Sequence, residues 1–219
     1  MISYIGVYGA SGFGKEIMPL VRQQYTALEK QQFVFIDDGQ AGNTLSGYPV
    51  LSYSDFLANT SAEKGVVIAI ANSQVREKLT AQLATDQILQ LHISADNAVI
   101  AEEAEIAEGS LFCAFTCVTS NAKIGKGFHA NIYSYVAHDC VIGDFVTFAP
   151  SVKCNGNVHI EDHAYIGTGA IIKQVTPERP IVIGRGAVVG MGAVVTKSVP
   201  AGVTVIGNPA KPLGRNING

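Results

Sequence analysis

From Ile100 onward the chain repeats every six residues. It divides as IAEEAE, IAEGSL, FCAFTC, VTSNAK, IGKGFH, ANIYSY, VAHDCV, IGDFVT, FAPSVK, CNGNVH, IEDHAY and IGTGAI, twelve hexads without a slip. The first position is almost always Ile, Val or Phe, and the fifth is small or of medium size except at Phe128. A period of six fits neither a helix, with 3.6 residues per turn, nor a strand that alternates at two. It fits a chain that turns a corner every six residues, so that three hexads make one triangular coil and successive coils stack as parallel strands. First and fifth positions then point into a narrow prism. Residues eighteen apart lie above one another. Glycine at the second position, as at Gly125, Gly143 and Gly167, is expected to ease the turn.

The register breaks at Ile172, where IKQVTPERPIV carries two prolines, and resumes as IGRGAV, VGMGAV and VTKSVP. A loop at about 173–182 is therefore inserted, of about one coil side plus a few residues. It is either a bulge or a projection available for binding.

The first 95 residues follow another rule. SYIGVYG at 3–9, FVFID ending at Asp37-Asp38, VVIAIA at 66–71 and LQLHI at 89–93 read as buried strands. EIMPLVRQQY and SQVREKLTAQLA have helical spacing between them, with Ser73 as a possible cap. Alternating strands and helices predict a small Rossmann-like parallel α/β domain over residues 1–95, followed by an all-β parallel β-helix over 96–219. After the first strand comes GASGFG, residues 9–14. It is not the GxGxxG dinucleotide fingerprint. It nevertheless sets Gly9, Ser11, Gly12 and Gly14 at a helix N-terminus, where free amides favour a phosphate. Asp37 and Asp38 end the second strand, where they would accept hydrogen bonds from a ribose or base. A tight turn and two solvated carboxylates would look the same in sequence.

Composition narrows the field. The chain is 47% hydrophobic and 15% charged, which suits a folded core. A net charge of -3 gives no reason to expect nucleic acid as a partner. No basic leader and no apolar run of membrane length are visible, so a cytoplasmic location is expected. Cys113, Cys117, Cys140 and Cys154 lack zinc-site spacing and read as reduced, packed thiols.

Among five histidines, His138 stands apart in Tyr135-Val-Ala-His138-Asp139-Cys-Val-Ile-Gly143. It occupies the third position of its hexad, a corner, and projects outward. Gly156 stacks on it and Ser120 lies on its other side. A glycine beside a corner imidazole leaves a slot in which a thioester can approach the ring. An ammonium must lose protons to attack a thioester, and an imidazole titrates in the right range to take them. Neighbouring residues on a strand point to opposite sides, so Asp139 reaches His138 only if the corner turns it back; otherwise a group on the adjoining coil orients the ring.

The hexads and the ending VTVIGNPAKPLGR, residues 203–215, resemble the hexapeptide-repeat acyltransferases, which are left-handed β-helical homotrimers. With GASGFG and NIYSYVAHDCVIGD added, nearly the whole chain resembles the nucleotide-aminosugar N-acetyltransferases of the bacillosamine and perosamine type and the related sialic-acid O-acetyltransferases. The resemblance implies acetyl-CoA as co-substrate, with no metal. It implies His138 as catalytic base with Asp139 beside it, Asn131 near the acceptor sugar, and Gly9, Ser11, Gly12, Gly14, Asp37 and Asp38 around the nucleotide. Gly156, Thr168, Gly169 and Met191 match positions lining the CoA arm, in a groove between subunits. The implied reaction is direct acetylation of the 4-amino group of a nucleotide-linked 4-amino-4,6-dideoxyhexose for surface glycans or glycoproteins. UDP is favoured over dTDP or GDP. Sugar O-acetylation, a γ-carbonic-anhydrase-like metalloenzyme drawing on His159 and His163, and a non-catalytic sugar-binding trimer are the alternatives.

Overall fold

A computed structural model describes residues 2–59 and 62–213. The chain forms two compact units. One reaches to Asp96 and includes Glu108–Ser110; the other holds Asn97–Ala107 and the described residues from Leu111 onward.

The first unit is built in chain order from β1 (Tyr4–Tyr8), α1 (Gly12–Gln24), β2 (Phe33–Ile36), β3 (Thr44–Leu45), β4 (Tyr48–Leu51), α2 (Tyr53–Ala58), β5 (Lys64–Ile68), α3 (Ser73–Thr85) and β6 (Leu89–Gln90). Its sheet runs β3-β4-β2-β1-β5-β6, with β1 paired in parallel to both β2 and β5. Ile5, Val7, Val34, Phe35, Val66 and Val67 are fully buried. Unbroken apolar runs of this kind are what a parallel sheet covered on both faces requires.

Three details differ from the sequence reading. Helix α1 begins at Gly12 rather than Glu16, because the glycine loop itself supplies the first turn, closed by Lys15 N–H on the Ser11 carbonyl at 3.0 Å. The cap of α3 is Asn72, not Ser73: its Oδ1 accepts from the Gln74 and Val75 amides at 3.1 and 3.0 Å. Strands β3 and β4 and helix α2 were not anticipated. The short α2 is capped by Ser52, which accepts from the Asp55 amide at 3.0 Å.

The second unit is the expected prism. One face stacks Phe112, Ala130, Phe148, Ile166 and Val189 in register. The next stacks Ile100, Val118, Val136, Cys154, Ile172 and Val195, and the third Ile106, Ile124, Ile142, Ile160 and Ile183. These are the first hexad positions, and with the fifth positions they form one continuous core. Phe128 fits because the first position that follows it is Ala130; its ring fills the space between Phe112 and Phe148, with centroids 5.8 and 5.1 Å away.

The turn itself works differently from expectation. Gly125, Gly143 and Gly167 do not have positive φ; a Cβ on them would strike the next coil, at 2.6 Å from the Gly143 carbonyl carbon in the case of Gly125. The fourth position carries the unusual conformation instead. Phe115, Asn121, Tyr133, Asp139, Phe145, Ser151, Asn157 and His163 all have φ between 57° and 62°. Each costs backbone energy. The corner offsets it with an amide bonded to the coil below, as from Asp139 to the Ser120 carbonyl at 3.1 Å and from Asn157 to the His138 carbonyl at 3.1 Å.

The inserted loop spans 173–180, between strands Ile171–Ile172 and Ile181–Ile183. Ile160 pairs with Ile183, five residues beyond the eighteen-residue step. At the far end Thr204–Ile206 adds to Val188–Val189, and Lys211–Pro212 folds back antiparallel to it. Gly214 and Arg215 of the closing motif lie outside the described residues.

Candidate active site

The corner geometry answers the question left by the sequence. With φ at +58°, Asp139 turns back, and its Oδ2 lies 2.8 Å from His138 Nδ1. Its other oxygen accepts from Asn121 Nδ2 at 3.2 Å. Asn121 is eighteen residues earlier, on the adjoining coil, and was missed; the stacking interval was the signal that locates it. The bond to His138, then the bond from Asn121, holds the Asp139 carboxyl below the usual carboxylate range. An ionised Asp139 assigns the proton to Nδ1 and leaves Nε2 as the acceptor. Both side chains are about half exposed, so the pair is open to a substrate.

Gly156 stacks on His138 as predicted. A Cβ there would lie 2.5 Å from both Cε1 and Nε2 of the ring. Any side chain at this position therefore collides with the Cε1–Nε2 edge of the ring. The Gly156 carbonyl accepts from the Val175 amide at 3.2 Å, whereas no bond from its own N–H to an acceptor is found among the described residues. Gly156→Ala is expected to displace the imidazole and lower kcat/KM more than tenfold, to about the level of a lost general base at the extreme. Near-native thermal stability is expected alongside, and a variant with wild-type turnover would remove the slot from the site.

Asn131 is held by its own backbone: Oδ1 accepts from the Ile132 amide at 2.8 Å, and it makes no hydrogen bond to His138. Thr168, Gly169 and Met191 follow the strands Tyr165–Ile166 and Val188–Val189, and so stand at a different corner from His138 and Gly156. Met191 is 81% exposed. His159 lies on a strand face and His163 at a third corner, stacked on Phe145 at 5.5 Å. No group of three His, Cys, Asp or Glu side chains is placed to hold a metal ion among the described residues.

In the first unit, Gly9 has φ +112° and Gly14 is required by contact: a Cβ on Gly14 would meet the Gly9 carbonyl oxygen at 2.0 Å. Gly12 has open space around its Cα, and Ser11 caps α1 without using its hydroxyl. Gly12 thus stands, with open space beside its Cα, at the start of a 13-residue helix. Asp37 braces this loop, accepting from the Ala10 and Gly39 amides at 3.3 and 3.1 Å and from Gln40 Nε2 at 3.1 Å. Asp38 takes the Tyr53 amide on Oδ1 at 2.8 Å and the Tyr8 hydroxyl on Oδ2 at 3.5 Å. Burial, with Asp38 beside it, pushes the Tyr8 phenol up to about 12. Gln40, Tyr8 and Tyr53 were not read from the sequence, since they act through the two aspartates rather than through a motif.

A hexad prism carrying an imidazole–carboxylate pair over a corner glycine defines a hexapeptide-repeat acyltransferase. Residues 4–83 match the PglD N-terminal domain family. The chain is 47% identical over 217 residues to GDP-perosamine N-acetyltransferase of Escherichia coli O157:H7, covering 96% of each. Among solved structures it is similar to WeeI from Acinetobacter baumannii AYE, with 70% identity and a TM-score of 0.95 over 96% of this chain and all of that one. It is also similar to the acetyltransferase domain of PglB from Neisseria gonorrhoeae FA1090 in complex with acetyl coenzyme A, at 29% identity and TM-score 0.87 over 97% and 100%. The chain belongs to the bacillosamine- and perosamine-type nucleotide-aminosugar N-acetyltransferases, left-handed β-helical enzymes that use acetyl-CoA.

Proposed function

We propose that this enzyme moves the acetyl group of acetyl-CoA to the 4-amino group of a GDP-linked 4-amino-4,6-dideoxyhexose, for surface glycan or glycoprotein sugars. The observation that carries the mechanism is the His138–Asp139 pair set against Gly156. The amine attacks the thioester carbon directly, and His138 Nε2 accepts the proton the nitrogen sheds. Asp139 holds the Nδ1–H tautomer and stabilises the imidazolium that forms. The Gly156 N–H steadies the oxygen as it gains charge, and the CoA thiolate leaves.

The choice of GDP replaces the UDP favoured from sequence. The relative matched along 96% of both chains is named for GDP-perosamine. The UDP-N-acetylglucosamine O-acyltransferases, by contrast, match only 40% of this chain in the first of them. In the first unit, the α1 N-terminus at Ser11, Gly12 and Gly14 receives the diphosphate and Asp37 and Asp38 the nucleoside; in the second unit, Asn131 serves the acceptor sugar. A CoA arm running along the prism meets both Gly156 and the Thr168–Gly169–Met191 corner only where corners of two copies face one another. This favours a homotrimer. No helix among the described residues is long and apolar enough to cross a membrane, and we place the reaction in the cytoplasm, where acetyl-CoA is made.

The test is release of free CoA thiol with GDP-, UDP- and dTDP-linked 4-amino-4,6-dideoxysugars. Fastest release with the GDP sugar is expected, with a rate that rises with pH as the ammonium deprotonates. Preference for UDP or dTDP would overturn the nucleotide assignment. Release only with hydroxyl acceptors would overturn N-acetylation.

A further inference from the structure

We propose that Asn157 is a positioning residue that pins the inserted loop 173–180 against the acyl-transfer corner, making that loop one wall of the slot for the pantetheine arm of acetyl-CoA. The inference rests on the acetyl transfer proposed above and names a working part that the family resemblance does not assign.

The loop could have emerged anywhere along the prism. It emerges over Gly156, the residue that stacks on His138. The Val175 amide donates to the Gly156 carbonyl at 3.2 Å, and Asn157 Nδ2 donates to the Val175 carbonyl at 3.0 Å. The Val175 side chain packs against the prism core. Asn157 is itself buried, and its backbone N–H donates to the His138 carbonyl at 3.1 Å. One residue thereby joins the backbone of the base to the root of the loop. Beyond Val175 the tip is an ordered turn, closed by the Arg179 amide on the Thr176 carbonyl at 3.1 Å with Pro177 at its second position. The buried amide of Asn157 fixes the root of the loop beside Gly156 and His138, and a fixed wall there excludes water and holds the thioester in place.

Asn157 has φ +62°, which glycine adopts freely, so Asn157→Gly removes the clamp without straining the corner. The variant is expected to fold normally and to show a KM for acetyl-CoA raised by about fivefold to tenfold, the effect of one lost buried hydrogen bond. The KM for the amino sugar is expected to stay within about twofold by the same reasoning, because only the CoA wall has moved. Replacing Thr176–Pro180 with a Gly-Ser stretch of equal length should give a similar rise, and the two changes together no more than either alone. An independent readout uses CoA without acceptor: it should slow amide hydrogen exchange at 173–180 in the wild-type protein and fail to do so in Asn157→Gly. Equal rises in both KM values, additive effects, or exchange unaffected by CoA in the wild type would each overturn the proposal. A wild-type protein that binds CoA with loop protection yet acetylates no amino sugar would instead sink the acceptor assignment and leave the loop's role standing.

Discussion

His138→Ala is expected to lower kcat/KM by about 10²- to 10⁴-fold, the usual contribution of a positioned general base, while KM for both substrates changes little. In the proposed mechanism the ring takes its proton at Nε2, which faces Gly156, and among the described residues no other imidazole shares its corner; His159 and His163 are elsewhere on the prism. Asp139→Asn separates the base from its orienter. Asparagine tolerates positive φ, so the corner survives. The carboxylate that holds the Nδ1 proton is lost, and a smaller fall of about tenfold to a hundredfold is expected, below the full general-base contribution. The pH profile distinguishes the two roles. A carboxyl with a depressed pKa is ionised above the ordinary carboxylate range and becomes protonated only as pH falls through its lowered value. Activity lost on mild acidification therefore does not come from protonation of Asp139, and Asp139→Asn should retain that acid limb at a reduced plateau. Disappearance of the limb in Asp139→Asn would assign it to the carboxylate instead. Equal rates in wild type and His138→Ala would remove the histidine from the chemistry.

The distribution of what the sequence reveals follows from which positions face a packing constraint. First and fifth hexad positions are held by a narrow prism, so Ile, Val and small residues recur and the architecture is plain from spacing. The same arithmetic places Gly156 on His138 and, applied one coil back, would have placed Asn121 on Asp139. The fourth position is illegible for the opposite reason. Its backbone is demanding, yet its side chain is held to no one environment, exposed at Phe115 and Tyr133 and buried at Phe145 and Asn157, and at most of these corners a coil-to-coil hydrogen bond offsets the strain whatever the side chain. Phe115, Asp139, Ser151 and His163 share one φ and no chemistry. For that reason the return of Asp139 to His138 could be posed as a question but not settled. In the first unit, β4 and α2 were hidden by Pro49 inside the strand and by a helix of six residues, too short for periodicity to register. The roles of Asp37 and Asp38 as braces were hidden because backbone amides, which carry no sequence signature, are their partners.

Phe128→Ala is expected to destabilise the β-helical unit by about 3–5 kcal/mol, the range for removing a fully buried aromatic ring. Phe128 is 0% exposed and is the large exception at the fifth position. Its ring tilts against Phe112 and meets Phe148 edge-on, with interplanar angles of 58° and 80°. Neighbouring coils fill this depth from the first position, with Phe112 and Phe148; this coil has Ala130 there and fills it from Phe128. The pair is thus a volume exchange within one coil, and the exchange predicts its own rescue. Phe128→Ala/Ala130→Ile moves bulk back to the first position used elsewhere in the prism. The double variant should regain part of the loss, so that the two changes are non-additive by about 1 kcal/mol or more, as expected for residues sharing one cavity. Chemical denaturation with a probe in the β-helical unit measures both effects. Strict additivity would show that Phe128 and Ala130 do not share a space. A full loss in the double variant would show that the prism cannot refill from the first position at this coil. Because the next two hexads carry Asn131 and then His138, Phe128→Ala should also reduce acetyl transfer at temperatures below its unfolding midpoint, and Ala130→Ile on that background should restore activity and stability together.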